Sequence, residues 1–400
     1  MQRFSPQLLW IAEQRERMTR LVADWAAINT SSENVPGIHG LLDRLESEFA
    51  PLGGVISRIA LPARHIIDAA GLSVSQPLAD ALSIVKHPDA PVRVLLVIHT
   101  DTVYPSSMTI PIVDDSEKLH GPGVADAKGG IAVMLTALAA LERSEMAGKI
   151  GWQVILNSDE ELGSPGSDPL LRKLAVQFHA GLVFEPALPD GALVGARGGS
   201  GMFALVLRGK SAHVGRDFAA GRSAILAAAR AALDLHKMNE NPGVIVNVGK
   251  IDGGGPANVV ADLAIVRFNV RVQTLSDQEH AQRQINEIVA AANSQDGISA
   301  ELSGGFHAPP KPMDKRTAKL FDVVEASAKE LSIPFSTRPT GGVCDGNKLA
   351  AAGLPVVDTL GPVGGELHSP GEYVIIDSLV QRAQLAALTL AKLAEGNREL

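Results

Sequence analysis

The sequence has a single cysteine, Cys344, among 400 residues. A lone thiol excludes an intrachain disulfide framework and a thiolate metal cluster, so any metal would have to use the eleven histidines and the carboxylates. Basic residues are in the minority: 36 Lys and Arg stand against 44 Asp and Glu, a formal net charge of −8. That balance argues against nucleic acid as the main partner, because its recognition needs a strongly basic face. Long apolar runs are also missing. The longest uncharged apolar stretch of interest, 129–141, falls short of the roughly 20 residues that span a bilayer. Charges at Glu13, Arg15, Glu16 and Arg17 stand where the apolar core of a secretory signal should continue. The expectation is a cytoplasmic enzyme or binding protein with neither membrane nor nucleic acid as partner. Apolar residues make up 46%, enough for a large core, and the length suits two or three domains.

Leu and Ile at three-to-four spacing predict helices over 7–27 and 38–49. The apolar run 94–98 reads as a buried parallel strand, followed by a helix over 129–142 and strands at 152–156 and 182–184. Strand, helix, strand at this spacing implies an α/β fold whose mostly parallel sheet is covered by helices. A second texture begins near Leu193: strands at 202–207, 244–251 and 265–272, with helices over 221–238 and 278–293. It predicts a smaller α+β domain of one sheet and two helices. The proline-rich stretch 307–312 reads as a linker out of it, after which helices at 315–331 and 377–396 and a strand at 355–359 resume the first texture. The expected organisation is a discontinuous domain, 1–193 with 308–400, interrupted by an inserted one at 194–307.

Four segments place histidines and carboxylates after apolar strands or in glycine-rich turns, where ligands of open α/β sheets gather. In His99-Thr100-Asp101, side chains two apart in extended chain face the same way, so Asp101 can orient the His99 ring while its other nitrogen takes a metal. Asp126 sits in the turn Gly121–Gly130, which has neither the phosphate-loop order nor the dinucleotide-binding glycines; alone it would read as a helix cap. Asp159, Glu160 and Glu161 are consecutive carboxylates after a strand, electrostatically costly unless a cation or a raised pKa relieves them. Glu185 ends another short apolar run, and His368 lies in Glu366-Leu367-His368-Ser369-Pro370-Gly371-Glu372. Together these make a sensible ligand set for two divalent ions about 3.5–4 Å apart. Nitrogen and oxygen ligation without cysteine suits Zn²⁺, with Mn²⁺ or Co²⁺ as substitutes.

In order and spacing, these segments resemble the signature blocks of the M20 family of co-catalytic zinc peptidases, which includes carboxypeptidase G2-like enzymes, aminoacylase-1 and succinyl-diaminopimelate desuccinylase. The likeness runs over nearly the whole chain and implies a catalytic domain interrupted by a dimerisation or lid domain. It implies that Asp126 bridges two Zn²⁺, that His99 and Glu185 complete one site, and that Glu161 and His368 complete the other. Asp101 would orient His99, and Glu160 would be the general base acting on a metal-bridging hydroxide. The peptide after the bridging aspartate, Asp126-Ala127, is expected to be cis. His213 resembles the inserted-domain histidine that reaches the partner subunit's active site to stabilise the oxyanion, which implies a homodimer. Asn258, Arg271 and the glycine-rich loop containing Gly342 fall where family members contact substrate, and Arg271 could clamp a terminal carboxylate. Cys344 in that loop reads as a small filler.

Arg216, Asp217 and Arg222 depart from the family pattern, which has small residues, proline or asparagine there, and they add charge near the hinge of the inserted domain. The remaining histidines, 39, 65, 87, 120, 179, 236, 280 and 307, read as structural. The resulting expectation is a zinc carboxypeptidase acting on a small peptide or acyl conjugate. The runner-up is an N-acyl-amino-acid deacylase or desuccinylase, and an idle metal-binding relative is the alternative of another class.

Overall fold

The computed structural model describes residues 4–396. Its larger sheet runs in the order Val55–Ile59, Ala81–Lys86, Ile150–Asn157, Val92–His99, Ala180–Val183 and Val356–Val357. The last four strands are parallel, whereas the pairings that involve Ala81–Lys86 are antiparallel. Val92–His99 lies in the interior of the sheet and is covered on both faces. Val94, Leu96 and Ile98 join the core under helices Gly130–Glu142 and Ile376–Ala394, while Leu95 and Val97 pack with Leu171, Leu174 and Leu349 on the other side. Burial on both faces is why residues 94–98 of this strand are an unbroken apolar run. Helix Gly130–Glu142 is buried from Gly130 through Leu141, so the apolar stretch seen in the sequence is a core helix.

The second sheet is antiparallel, ordered Val244–Gly253, Leu263–Val272, Gly199–Arg208, Ser299–Ala308. Helices Ala224–Lys237 and Leu275–Asn293 cover one face through Phe203, Leu205, Val266, Phe268, Ala231 and Ile285. Residues of Leu263–Val272 that alternate with this core, Arg267, Asn269 and Arg271, point to the other face. A hairpin of Arg64–Ile67 and Ser73–Gln76 docks there. Arg267 Nη2 donates to the Ile67 carbonyl at 2.9 Å, and Arg208 Nη2 to the Gly71 carbonyl at 2.8 Å.

The structure differs from the sequence expectation in several places. The helix expected over 7–27 is two helices, Ser5–Ala12 and Arg15–Ala26, and the turn between them brings both Ile11 and Met18 onto the same core. The strands between 55 and 86 carried no clear apolar run. Ser299–Ala308 takes the first two residues of the expected linker, and its serines and glycines suit a half-exposed edge strand.

Candidate metal centre

The carboxyl ends of three adjacent parallel strands converge. Val92–His99 ends in His99, Ile150–Asn157 runs into the turn Glu160–Leu162, and Ala180–Val183 is followed by Phe184 and Glu185. Asp126 arrives from the turn that opens the core helix, and its peptide bond to Ala127 is cis. Gly130 lets that helix approach the strand end: a Cβ there would stand 2.1 Å from the Phe184 carbonyl oxygen. His368, half-exposed and with φ +61°, comes from the loop between Gly364–Gly365 and Tyr373–Ile375.

His99 Nε2 lies 3.0 Å from Asp126 Oδ1 and 3.7 Å from Glu185 Oε2. His368 Nε2 lies 3.3 Å from both Asp126 Oδ2 and Glu161 Oε1. Two three-residue groups result, His99–Asp126–Glu185 and Asp126–Glu161–His368, with the donor atoms of each within 4.8 Å of one another. Asp126 is common to both and turns one oxygen toward each histidine.

A layer of hydrogen bonds fixes these donors. His99 Nδ1 lies 2.9 Å from the Asp101 backbone carbonyl and 3.4 Å from the Asp101 carboxylate. The main-chain oxygen is thus the nearer partner of His99. The Asp101 carboxylate instead accepts from the backbone N–H groups of Glu160 (3.1 Å) and Glu161 (3.2 Å) and from Ser32 Oγ (2.7 Å), so it sets the acidic turn as well. Asp159 turns away from the centre, accepting from the N–H groups of Gly166 and Ser167. Glu372 is a support that sequence reasoning missed. Its Oε1 accepts from the N–H groups of Ala125 (2.9 Å) and Asp126 (3.0 Å), and its Oε2 from Gly123 N–H (3.2 Å) and the Tyr104 hydroxyl (2.5 Å). The only signal for it was a glutamate four residues after His368.

Burial and mutual repulsion govern titration here. Burial pushes Glu161 up to about 7 against the pull of His368, and burial with the adjacent Glu185 pushes Glu160 well above the carboxylate range. Glu185 is raised as well, chiefly by burial. Burial would raise Asp126 too, but its contacts with His368 and His99 prevail and hold it low. Burial opposes a charge on His99, yet Glu185, Asp101 and Asp126 outweigh it and raise the imidazole. Asp126 and Glu161 raise His368 to about 11. Shared protons thus bind acceptors that would otherwise repel, and a divalent cation can take their place. The donor set fits one. Glu161 Oε1 is buried with no hydrogen bond to complete its 3.3 Å contact with His368 Nε2, and every donor is an imidazole nitrogen or carboxylate oxygen.

Among the described residues, the other residues singled out in the sequence make no hydrogen bond or ion pair with this cluster. His213 is exposed; it caps the short helix Val214–Asp217, where its Nδ1 accepts from Gly215 N–H, and it bridges to Val259 beside Asn258. Among the described residues, no hydrogen bond or ion pair joins His213 or the Asn258 side chain to the metal ligands. Arg271 is half-buried, its Nε donating to Asn269 Oδ1 at 3.0 Å. The Gly342 carbonyl accepts from Arg197 Nη1 at 3.1 Å, and Arg197 is itself paired with buried Asp358. Arg222 ties its loop to Asp296, while Arg216 and Asp217 are exposed. Cys344 is buried, and its thiol is pushed well above its ordinary value, chiefly by burial, as suits a filler.

Residues 95–392 match the model of peptidase family M20/M25/M40. Carboxypeptidase G2 of Pseudomonas sp. (strain RS-16) is 27% identical over 376 residues, which cover 92% of this chain and 87% of that protein. Succinyl-diaminopimelate desuccinylase of Nitrosococcus oceani is 30% identical over 308 residues, covering 70% of this chain and 78% of that protein. A tripeptidase from Staphylococcus aureus superposes with a TM-score of 0.76 over 96% of this chain and 99% of its own, at 22% identity, which extends the likeness of fold. The chain therefore belongs to peptidase family M20/M25/M40, the metal-dependent hydrolases of amide bonds.

Proposed function

We propose that the chain is a dinuclear zinc hydrolase that releases a C-terminal amino acid from a small peptide or acyl conjugate. The observation that carries this reading is the pair of three-ligand groups sharing Asp126, with Glu160 beside them and its carboxylate free of any hydrogen-bond partner among the described residues. Two Zn²⁺ held by His99, Asp126 and Glu185 and by Asp126, Glu161 and His368 would polarise the amide carbonyl and acidify the attacking water. Co²⁺ or Mn²⁺ could replace them.

Glu160 takes the proton of the attacking water and returns it to the leaving nitrogen. Asp101 holds the main chain of both Glu160 and Glu161, so base and ligand keep one spacing. Exposed His213 would supply the oxyanion donor to a second subunit, in a homodimer formed through residues 194–307. Exposed Phe218 and Leu226 on that part support such an association. The resemblance to carboxypeptidase G2 favours C-terminal cleavage, and the resemblance to the desuccinylases supports a second reading, N-acyl-amino-acid deacylation.

Glu160→Gln tests the assignment. The variant should keep its zinc and lose turnover on N-acyl amino acids and dipeptides. Retained turnover in a zinc-loaded variant would remove Glu160 from its role.

A further inference from the structure

His307, read from sequence as structural, occupies an unusual position. In the pairing of Gly199–Arg208 with Ser299–Ala308, Ser200 faces Ala308 and Gly201 faces Phe306, which leaves His307 as the extra residue of a β-bulge. Bulges re-aim side chains and are frequent beside active sites. The ring lies against the turn that carries Glu160 and Glu161: a Cβ on Gly163 would come within 2.8 Å of His307 Cδ2 and 3.3 Å of Nε2. Burial first, then the nearby cations Lys348 and Arg271, lower its pKa to about 4. The imidazole is therefore neutral, with one N–H donor and one bare nitrogen. Among the described residues, neither nitrogen has a hydrogen-bond partner.

We propose that His307 is a substrate-recognition residue that, together with Arg271, seats the free carboxylate of a substrate ending in an amino acid. This rests on the amide-hydrolase reading above. The half-buried imidazole still reaches solvent, so an incoming guest can supply the hydrogen-bond partner that the protein does not. Its charged neighbours are cations, which favour an anionic guest and repel a cationic one. Lys348 is already paired with Asp345 at 2.9 Å, whereas Arg271 uses its Nε on Asn269 and has only a long 3.5 Å contact from Nη1 to the Gly341 carbonyl. A guanidinium and an imidazole N–H thus form a two-donor seat. It spans the inserted sheet and the acidic turn, so a substrate held by its carboxylate presents its amide toward Glu160.

The test is equilibrium binding of N-benzoyl amino acids and their C-terminal amides to the zinc-loaded Glu160→Gln protein, read by calorimetry. The free acids should bind more tightly than the amides. Adding His307→Phe should weaken the acids by about tenfold or more, the effect of losing a hydrogen bond to a charged group, and leave the amides unchanged. His307→Gln, which keeps an N–H donor, should recover part of the loss. With Glu160 intact, His307→Phe should raise KM for the acids with little change in kcat. Equal losses for acids and amides, with no recovery in His307→Gln, would overturn the proposal. So would a parent protein that binds neither series or does not distinguish them. The amide-hydrolase reading fails separately, if the zinc-loaded native chain binds both series and cleaves neither.

Discussion

Glu372→Gln is the most informative perturbation of the supports around the centre. The carboxylate accepts four hydrogen bonds, three from the main chain of the turn that carries Asp126 and one from Tyr104. Glutamine has the same shape but a single acceptor oxygen, and its NH₂ would face donors, so two of the four bonds are lost. At about 1.5–3 kcal/mol for each bond to a charged acceptor, the loss is bounded at roughly 3–6 kcal/mol. Burying a neutral amide instead of a carboxylate offsets part of this, since burial already raises the Glu372 pKa. The expected destabilisation of the metal-free protein is therefore about 2–4 kcal/mol in chemical denaturation. Zinc affinity, measured by competition with a chelating dye, should fall by about 10–100-fold, as it does when supports of metal ligands are removed. Tyr104→Phe, which removes one bond, should show a smaller loss of both. An unchanged denaturation midpoint together with zinc affinity within about twofold of the native chain would refute the reasoning, because the Asp126 turn would then hold itself.

Zinc binding should strengthen as pH rises from about 6 to 8, because ligands bind deprotonated and Glu161 (about 7) and His368 (about 11) are raised. Calorimetry in buffers of different ionisation enthalpy should show proton release on binding; none would contradict the assignment of these ligands. In the metal-free protein the raised His368 stabilises the fold fully below its ordinary value of 6.5, and that contribution fades as pH climbs toward about 11. A pH titration of the unfolding midpoint checks the sign. Asp358→Ala leaves Arg197 and Lys311 buried without their shared carboxylate, and should cost about 3–5 kcal/mol in chemical denaturation.

The legible parts of the sequence were those where chemistry and periodicity coincide. His99, Asp126, Glu161, Glu185 and His368 each follow an apolar strand or sit in a glycine-rich turn, so a ligand set for two cations could be expected before the fold was known, while its division into two groups came from the family resemblance. Strands buried on both faces, such as Val92–His99, were legible for the same reason. The hairpin Arg64–Ile67 with Ser73–Gln76 was not, because it is held by guanidinium-to-carbonyl bonds from Arg208 and Arg267 and needs no apolar pattern. Buried charges were invisible too. Glu372, Asp345, Lys348 and the Arg197–Asp358–Lys311 cluster look like surface residues until the fold supplies partners distant in sequence. His307 was passed over because only a bulge and a glycine of the distant acidic turn give it a place.

Metal content of the native chain beside Asp126→Asn tests the central claim most directly. Because Asp126 belongs to both ligand groups, the native chain should carry two zinc ions by elemental analysis, and the variant should lose both together. A native chain holding a single ion, or a variant that keeps one with undiminished affinity, would contradict the shared centre.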